Sequence, residues 1–186
     1  MKIYVEKLIL KEEHRGFKPQ TFEFRPGINL IVGENGAGKS TLLRLIGDPE
    51  SRIKKEVKLT MDAHINGVET RFFDTEKDNP RMKDLEISND IGYALHSHFK
   101  SHGESLLPIV LNMREKKDMV IFIDEPEAGI SLRNQMKVLQ AIKTAEENGC
   151  QLFVATHSYV LIKNVDKVFN VKTGKWITSK SFLKGI

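Results

Sequence analysis

Apolar and polar positions in this chain change period several times, and each change predicts an element. Residues 2–10 mix apolar and polar positions in strand fashion, Thr21-Phe22-Glu23-Phe24 reads as a second short strand, and residues 28–32 read as a third after the Pro26-Gly27 turn. Thr41 to Ile46 predicts a helix, stopped by Gly47-Asp48-Pro49. Val57, Leu59, Met61, Ala63 and Ile65 then alternate with Lys58, Thr60, Asp62 and His64. Asn66-Gly67 separates this run from residues 68–73, which predicts a β-hairpin closed by a type I′ turn. Asp74 to Asn89 has no period and reads as a long loop. Helical character is expected at 91–99 and 105–116, and Ser131 to Glu147 predicts a helix with Leu132, Met136, Leu139 and Ile142 on one face. Two apolar runs, 119–123 and 152–155, read as buried strands. Their alternation with helices predicts an α/β fold with a mainly parallel central sheet. The N-terminal strands and the hairpin would add an antiparallel β layer, drawn mainly from residues 1–30 and 55–75.

Composition narrows the class without naming a function. With 186 residues, 40 % hydrophobic and 29 % charged, the chain is expected to form one soluble domain over residues 1–186. No apolar run reaches the ~20 residues of a membrane span, and residues 1–6 do not read as a signal peptide, so a cytoplasmic protein without membrane insertion is expected. Cys150 is the only cysteine and is expected to pack at a strand end. The net charge of +4 is unevenly spread: Lys163, Lys167, Lys172, Lys175, Lys180 and Lys184 face the single acid Asp166 in the last 24 residues. Such a tail suits either a solvated lysine-rich edge or contact with nucleic acid or an acidic partner.

One stretch carries specific chemistry. Gly33-Glu34-Asn35-Gly36-Ala37-Gly38-Lys39-Ser40-Thr41 is a complete G-x-x-x-x-G-K-[ST] loop between a strand and a helix. Small residues let consecutive backbone N–H groups wrap phosphates, Lys39 reaches the β/γ oxygens, and the Ser40 hydroxyl suits Mg²⁺. A nucleoside triphosphate with Mg²⁺ is the expected ligand. Downstream, Ile121-Phe122-Ile123-Asp124-Glu125 ends a buried strand in two carboxylates. Asp124 would hold the Mg²⁺ shell, and Glu125 would orient and deprotonate the water attacking the γ-phosphate. His157, in Ala155-Thr156-His157-Ser158, ends another buried strand and is placed to meet the γ-phosphate or that water. His96, His98 and His102 invite a zinc reading, but no ligand set is completed around them.

Together, residues 35–42, Asp124-Glu125-Pro126-Glu127 and Thr156-His157-Ser158 resemble the ABC-class ATPases, in particular the soluble SMC, RecF and OLD-type branch. Ser101-His102-Gly103-Glu104, within a helical region spanning 88–117, is similar to that class's signature motif. The resemblance implies a head that hydrolyses ATP slowly and dimerises around two ATP molecules, Ser101, His102, Gly103 and Glu104 facing the other subunit's nucleotide. It further implies that Arg15, in His14-Arg15-Gly16-Phe17, reaches the nucleotide beside Asn35, Gly36, Ala37, Gly38, Lys39, Ser40 and Thr41. A partner in a DNA repair or defence process is expected, with a nucleic-acid clamp as the competing reading.

Several departures from the family pattern stand out. No glutamine lies between Thr41 and Ser101, leaving Asp74, Glu76 and Asn79 as candidate substitutes for the usual Mg²⁺-linked residue. About 60 residues separate the phosphate loop from the signature, too few for a long coiled coil. Residues 128–131, Ala-Gly-Ile-Ser, lack the aspartate common after the second motif. The missing glutamine and the absence of a Leu-Ser-Gly-Gly-Gln run rank a transporter subunit last.

Overall fold

Buried runs of β-branched and aromatic residues build the centre of the fold. The computed structural model of the chain describes residues 4–47, 69–74, 107–108 and 110–185. Among these residues the main sheet has six strands: β3 (Ile28–Val32), β4 (Thr70–Asp74), β5 (Val120–Asp124), β6 (Gln151–Ala155), β7 (Lys167–Asn170) and β8 (Lys175–Thr178), in the order β4-β5-β6-β3-β7-β8. All neighbours are parallel except β7 and β8. β5 and β6 are buried along their whole length, as strands covered on both faces must be. Period two then sorts their side chains. Ile121, Ile123, Leu152 and Val154 join a cluster with the helix α2 (Leu132–Glu147). Val120, Phe122 and Phe153 join the opposite cluster with the helix α1 (Lys39–Gly47). On that second face Phe72, Phe122 and Phe153 stack across three strands, with ring centroids 5.9 and 5.2 Å apart. α1 crosses them closely: a Cβ on Gly47 would lie 2.8 Å from the Phe122 ring.

The N-terminal strands form a separate antiparallel pair, β1 (Lys7–Leu10) with β2 (Gln20–Glu23), as expected. Leu8, Leu10, Phe22 and Phe24 pack it against the α1 face, and Phe24 meets Phe153 edge-on at 5.0 Å. A buried amide, that of Gln151, helps fasten the layer to the sheet. Gln151 Oε1 accepts from Tyr4 N (2.9 Å) and Val5 N (2.7 Å), while its Nε2 donates to Val5 O and Arg25 O, both at 2.8 Å.

The sheet differs from the sequence expectation in particular places. Among the described residues, Thr70–Asp74 pairs not with the antiparallel layer but with the main sheet, parallel to β5 and at its edge. Alternation identifies a strand but not its partner, and here Phe72 and Phe73 find burial against β5. The other arm of the expected hairpin lies outside the described residues. The buried stripe of α2 is Val138, Leu139, Ala141, Ile142 and Ala145, whereas Leu132 is 70 % and Met136 52 % exposed. Of the expected face, Leu139 and Ile142 are buried while Leu132 and Met136 in the first turns are exposed. Of the expected 105–116 helix, the described part ends in a 3-10 turn at Asn112–Glu115. The lysine-rich stretch is no tail: it folds into β7, β8 and a final helix, α4 (Ser179–Lys184), after the short helix α3 (Tyr159–Lys163). Its lysines are exposed, and Lys175 lies on the edge strand β8.

Candidate active site

Parallel strands deliver their C-terminal ends to one rim of the sheet, where a ligand crevice is expected. The loop after β3 carries the phosphate-binding motif into α1, whose N-terminal N–H groups face the same rim. Gly38 shows why this loop needs glycine. Its φ is +95°, and a Cβ there would lie 2.6 Å from Phe17 Cζ. Phe17 itself is buried against Phe22, with centroids 5.6 Å apart, so the 14–17 loop sits directly on the phosphate loop. Arg15 is exposed on that loop with φ +47°. Phe17 was not among the expected site residues; its signal was the apolar residue closing His14-Arg15-Gly16-Phe17.

At the centre, Lys39 is buried with its ammonium held by Gly33 O and Glu34 O, each at 3.3 Å, and by His157 Nε2 at 2.5 Å. Lysine can only donate, so His157 accepts through Nε2. Burial pushes the Lys39 pKa below the ordinary lysine value, while the carboxylates of Glu125, Asp124 and Glu127 pull it back up. Ser40 Oγ donates to Asp124 Oδ1 at 3.0 Å. A hydroxyl and a nearly buried carboxylate side by side are the oxygen donors Mg²⁺ takes, so these residues fit the ion. When bound there, held by Ser40 and Asp124, Mg²⁺ would neutralise the negative charge of the phosphates.

Glu125 stands at the mouth, with φ +48° and Oε1 3.7 Å from His157 Nε2. Its backbone N–H donates to Ala155 O at 2.9 Å, tying the end of β5 to that of β6. The left-handed backbone costs on the order of 1–2 kcal/mol and turns the chain away from the strand direction straight after Asp124. Asp74, one of the candidate substitutes for the missing glutamine, is the backbone partner of Asp124 across β4 and β5. Ser101, His102, Gly103, Glu104, Glu76, Asn79, His96 and His98 lie outside the described residues. Among the described residues no group of His, Cys, Asp and Glu has the makings of a metal cluster, and no helix is long and apolar enough to cross a membrane. Cys150 is buried just before β6, where burial raises its thiol pKa.

The chain is similar to known proteins. Residues 12–48 match the model of an AAA domain, and residues 105–163 match a second, described as "AAA domain, putative AbiEii toxin, Type IV TA system". The chain is 25 % identical over 193 residues to the "Putative ABC transporter ATP-binding protein PH0132" of Pyrococcus horikoshii, covering 85 % of this chain and 74 % of that one. It is 26 % identical over 196 residues to the SkfA peptide export ATP-binding protein SkfE of Bacillus subtilis, covering 88 % and 80 %. Among solved structures, the dimeric post-hydrolysis state of the ATP-binding cassette MJ0796, bound to ADP and Pi, aligns with a TM-score of 0.54 at 17 % identity, over 95 % of this chain and 96 % of that one. The fold is that of an ABC ATPase, and the chain is an ATP-binding P-loop ATPase. These relatives do not single out the SMC, RecF and OLD-type branch, and they reverse the low rank that the missing glutamine assigned to the transporter proteins.

Proposed function

We propose that this chain is the ATP-hydrolysing subunit of a transport-type assembly, closing on a second copy of itself when ATP binds and passing that movement to a membrane partner. The observation that carries the reading is the convergence of Lys39, the Ser40–Asp124 pair, Glu125 and His157 on one rim. Lys39 would leave His157 for the phosphates, and Glu125 would take the proton of the attacking water, with His157 beside the γ-phosphate. Arg15 would approach the nucleotide from the loop on Gly38. Ser101, His102, Gly103 and Glu104 would complete the site from the other copy. The transport context is supported by the names of PH0132 and SkfE, and the dimer by the dimeric MJ0796 structure.

A defence role draws its support from the model matched by residues 105–163, whose description names a toxin–antitoxin system. Light scattering of Glu125→Gln with and without ATP tests the switch: a mass that doubles with ATP is expected, and a persistent monomer at high protein and ATP concentrations overturns it. Affinity capture of that ATP-trapped form separates the contexts, a multispanning membrane protein supporting transport and a soluble toxin or nucleic acid contradicting it.

A further inference from the structure

We propose that Glu127 is a positioning residue for ATP hydrolysis, acting through His157. The proposal rests on the role given to His157 above. His157 lies two residues beyond β6, and its side chain is 37 % exposed, so packing alone does not hold the ring. Its backbone is held instead. Glu127 Oε1 accepts from His157 N at 2.5 Å, a charge-assisted bond between residues 30 apart in sequence.

Glu127 belongs to the same turn as Glu125, closed by Ala128 N to Glu125 O at 3.0 Å and Ile130 N to Glu127 O at 3.2 Å. The residue expected to activate water and the residue that fixes His157 therefore ride on one rigid turn. A shift of the His157 backbone relative to Glu125 would strain the Glu127 bond. Ser158, the next residue, is fastened separately: its Oγ donates to Gln135 Oε1 at 2.7 Å, and Gln135 Nε2 reaches Ile130 O at 3.4 Å. Removing Glu127 thus frees the His157 amide without releasing α3. The second carboxylate oxygen of Glu127 is buried with no hydrogen-bond partner among the described residues. A group so incompletely satisfied is a poor stabiliser of its own turn; beside its charge acting on Lys39, its hydrogen bond goes to the His157 amide.

Glutamine keeps the acceptor and removes the charge, whereas alanine removes both. Steady-state phosphate release and ADP affinity would be measured for Glu127→Gln, Glu127→Ala, His157→Ala and the Glu127→Ala/His157→Ala double variant. Because a misplacement of ~1 Å costs up to ~100-fold in rate, Glu127→Ala is expected to lower kcat about 10- to 100-fold with ADP affinity unchanged. Glu127→Gln should stay within about threefold of the parent, the difference between a charged and a neutral acceptor. The double variant should be no slower than His157→Ala alone, since Glu127 acts through that residue. Equal losses in the Gln and Ala variants, or additive losses in the double variant, overturn the proposal. An unchanged rate in His157→Ala overturns the reading of His157 itself, a separate failure from an unchanged rate in Glu127→Ala alone.

Discussion

Replacing Gln151 with methionine tests how the N-terminal layer is attached. Gln151 is fully buried, and methionine fills nearly the same volume, so the cavity contribution is small and the lost hydrogen bonds dominate. Four bonds disappear, but one acceptor is covered: Arg25 O keeps its bond from Asn29 Nδ2 at 2.8 Å. The buried Val5 N and Val5 O and the partly buried Tyr4 N lose the partner that Gln151 supplies. Buried groups left unpaired cost about 1–3 kcal/mol each, so the loss at Val5 N and Val5 O alone should make Gln151→Met destabilising by about 2–6 kcal/mol. That is a large share of the ~5–15 kcal/mol typical of a folded domain. Urea unfolding followed by circular dichroism reads it as a lower midpoint at an unchanged slope. A loss under about 1 kcal/mol would refute the reasoning, since it would mean that water or a shifted chain satisfies these groups without cost.

Other outcomes follow from the same geometry. The folded state holds the Lys39 pKa below 10.5, so just below that pH the unfolded chain binds more protons than the folded one. Stability contributed at this site should therefore rise with pH as it climbs from the folded pKa to 10.5, and urea titrations of Lys39→Met should lack this rise. On α2, Leu139→Ala should cost about 2–5 kcal/mol. Leu132→Gln, at a position 70 % exposed, should stay within about 0.5 kcal/mol of the parent in the same melts.

That last pair shows where the sequence was legible and where it was not. Helical period correctly placed the element, since Ser131 caps it and Asn148 closes it. It could not say which part of the apolar face meets the core: Leu139 and Ile142 do, while Leu132 and Met136 stay exposed. Strand β3 and the end of β5 were readable because apolar runs and motif residues coincide there. The partner of Thr70–Asp74 was not, because parallel pairing with β5 is a contact across some fifty residues with no local turn to announce it. The same holds for Gln151, Phe17 and Glu127. Each acts on a group distant in sequence, and only the folded chain brings the two together.

The central claim is that the Lys39, Asp124, Glu125 and His157 rim hydrolyses ATP with Glu125 as the proton acceptor. Parallel measurement of ATP binding and phosphate release in Glu125→Gln tests it most directly. The account predicts ATP affinity close to the parent and turnover lower by at least about 100-fold. Turnover equal to the parent, with ATP still bound, would contradict it.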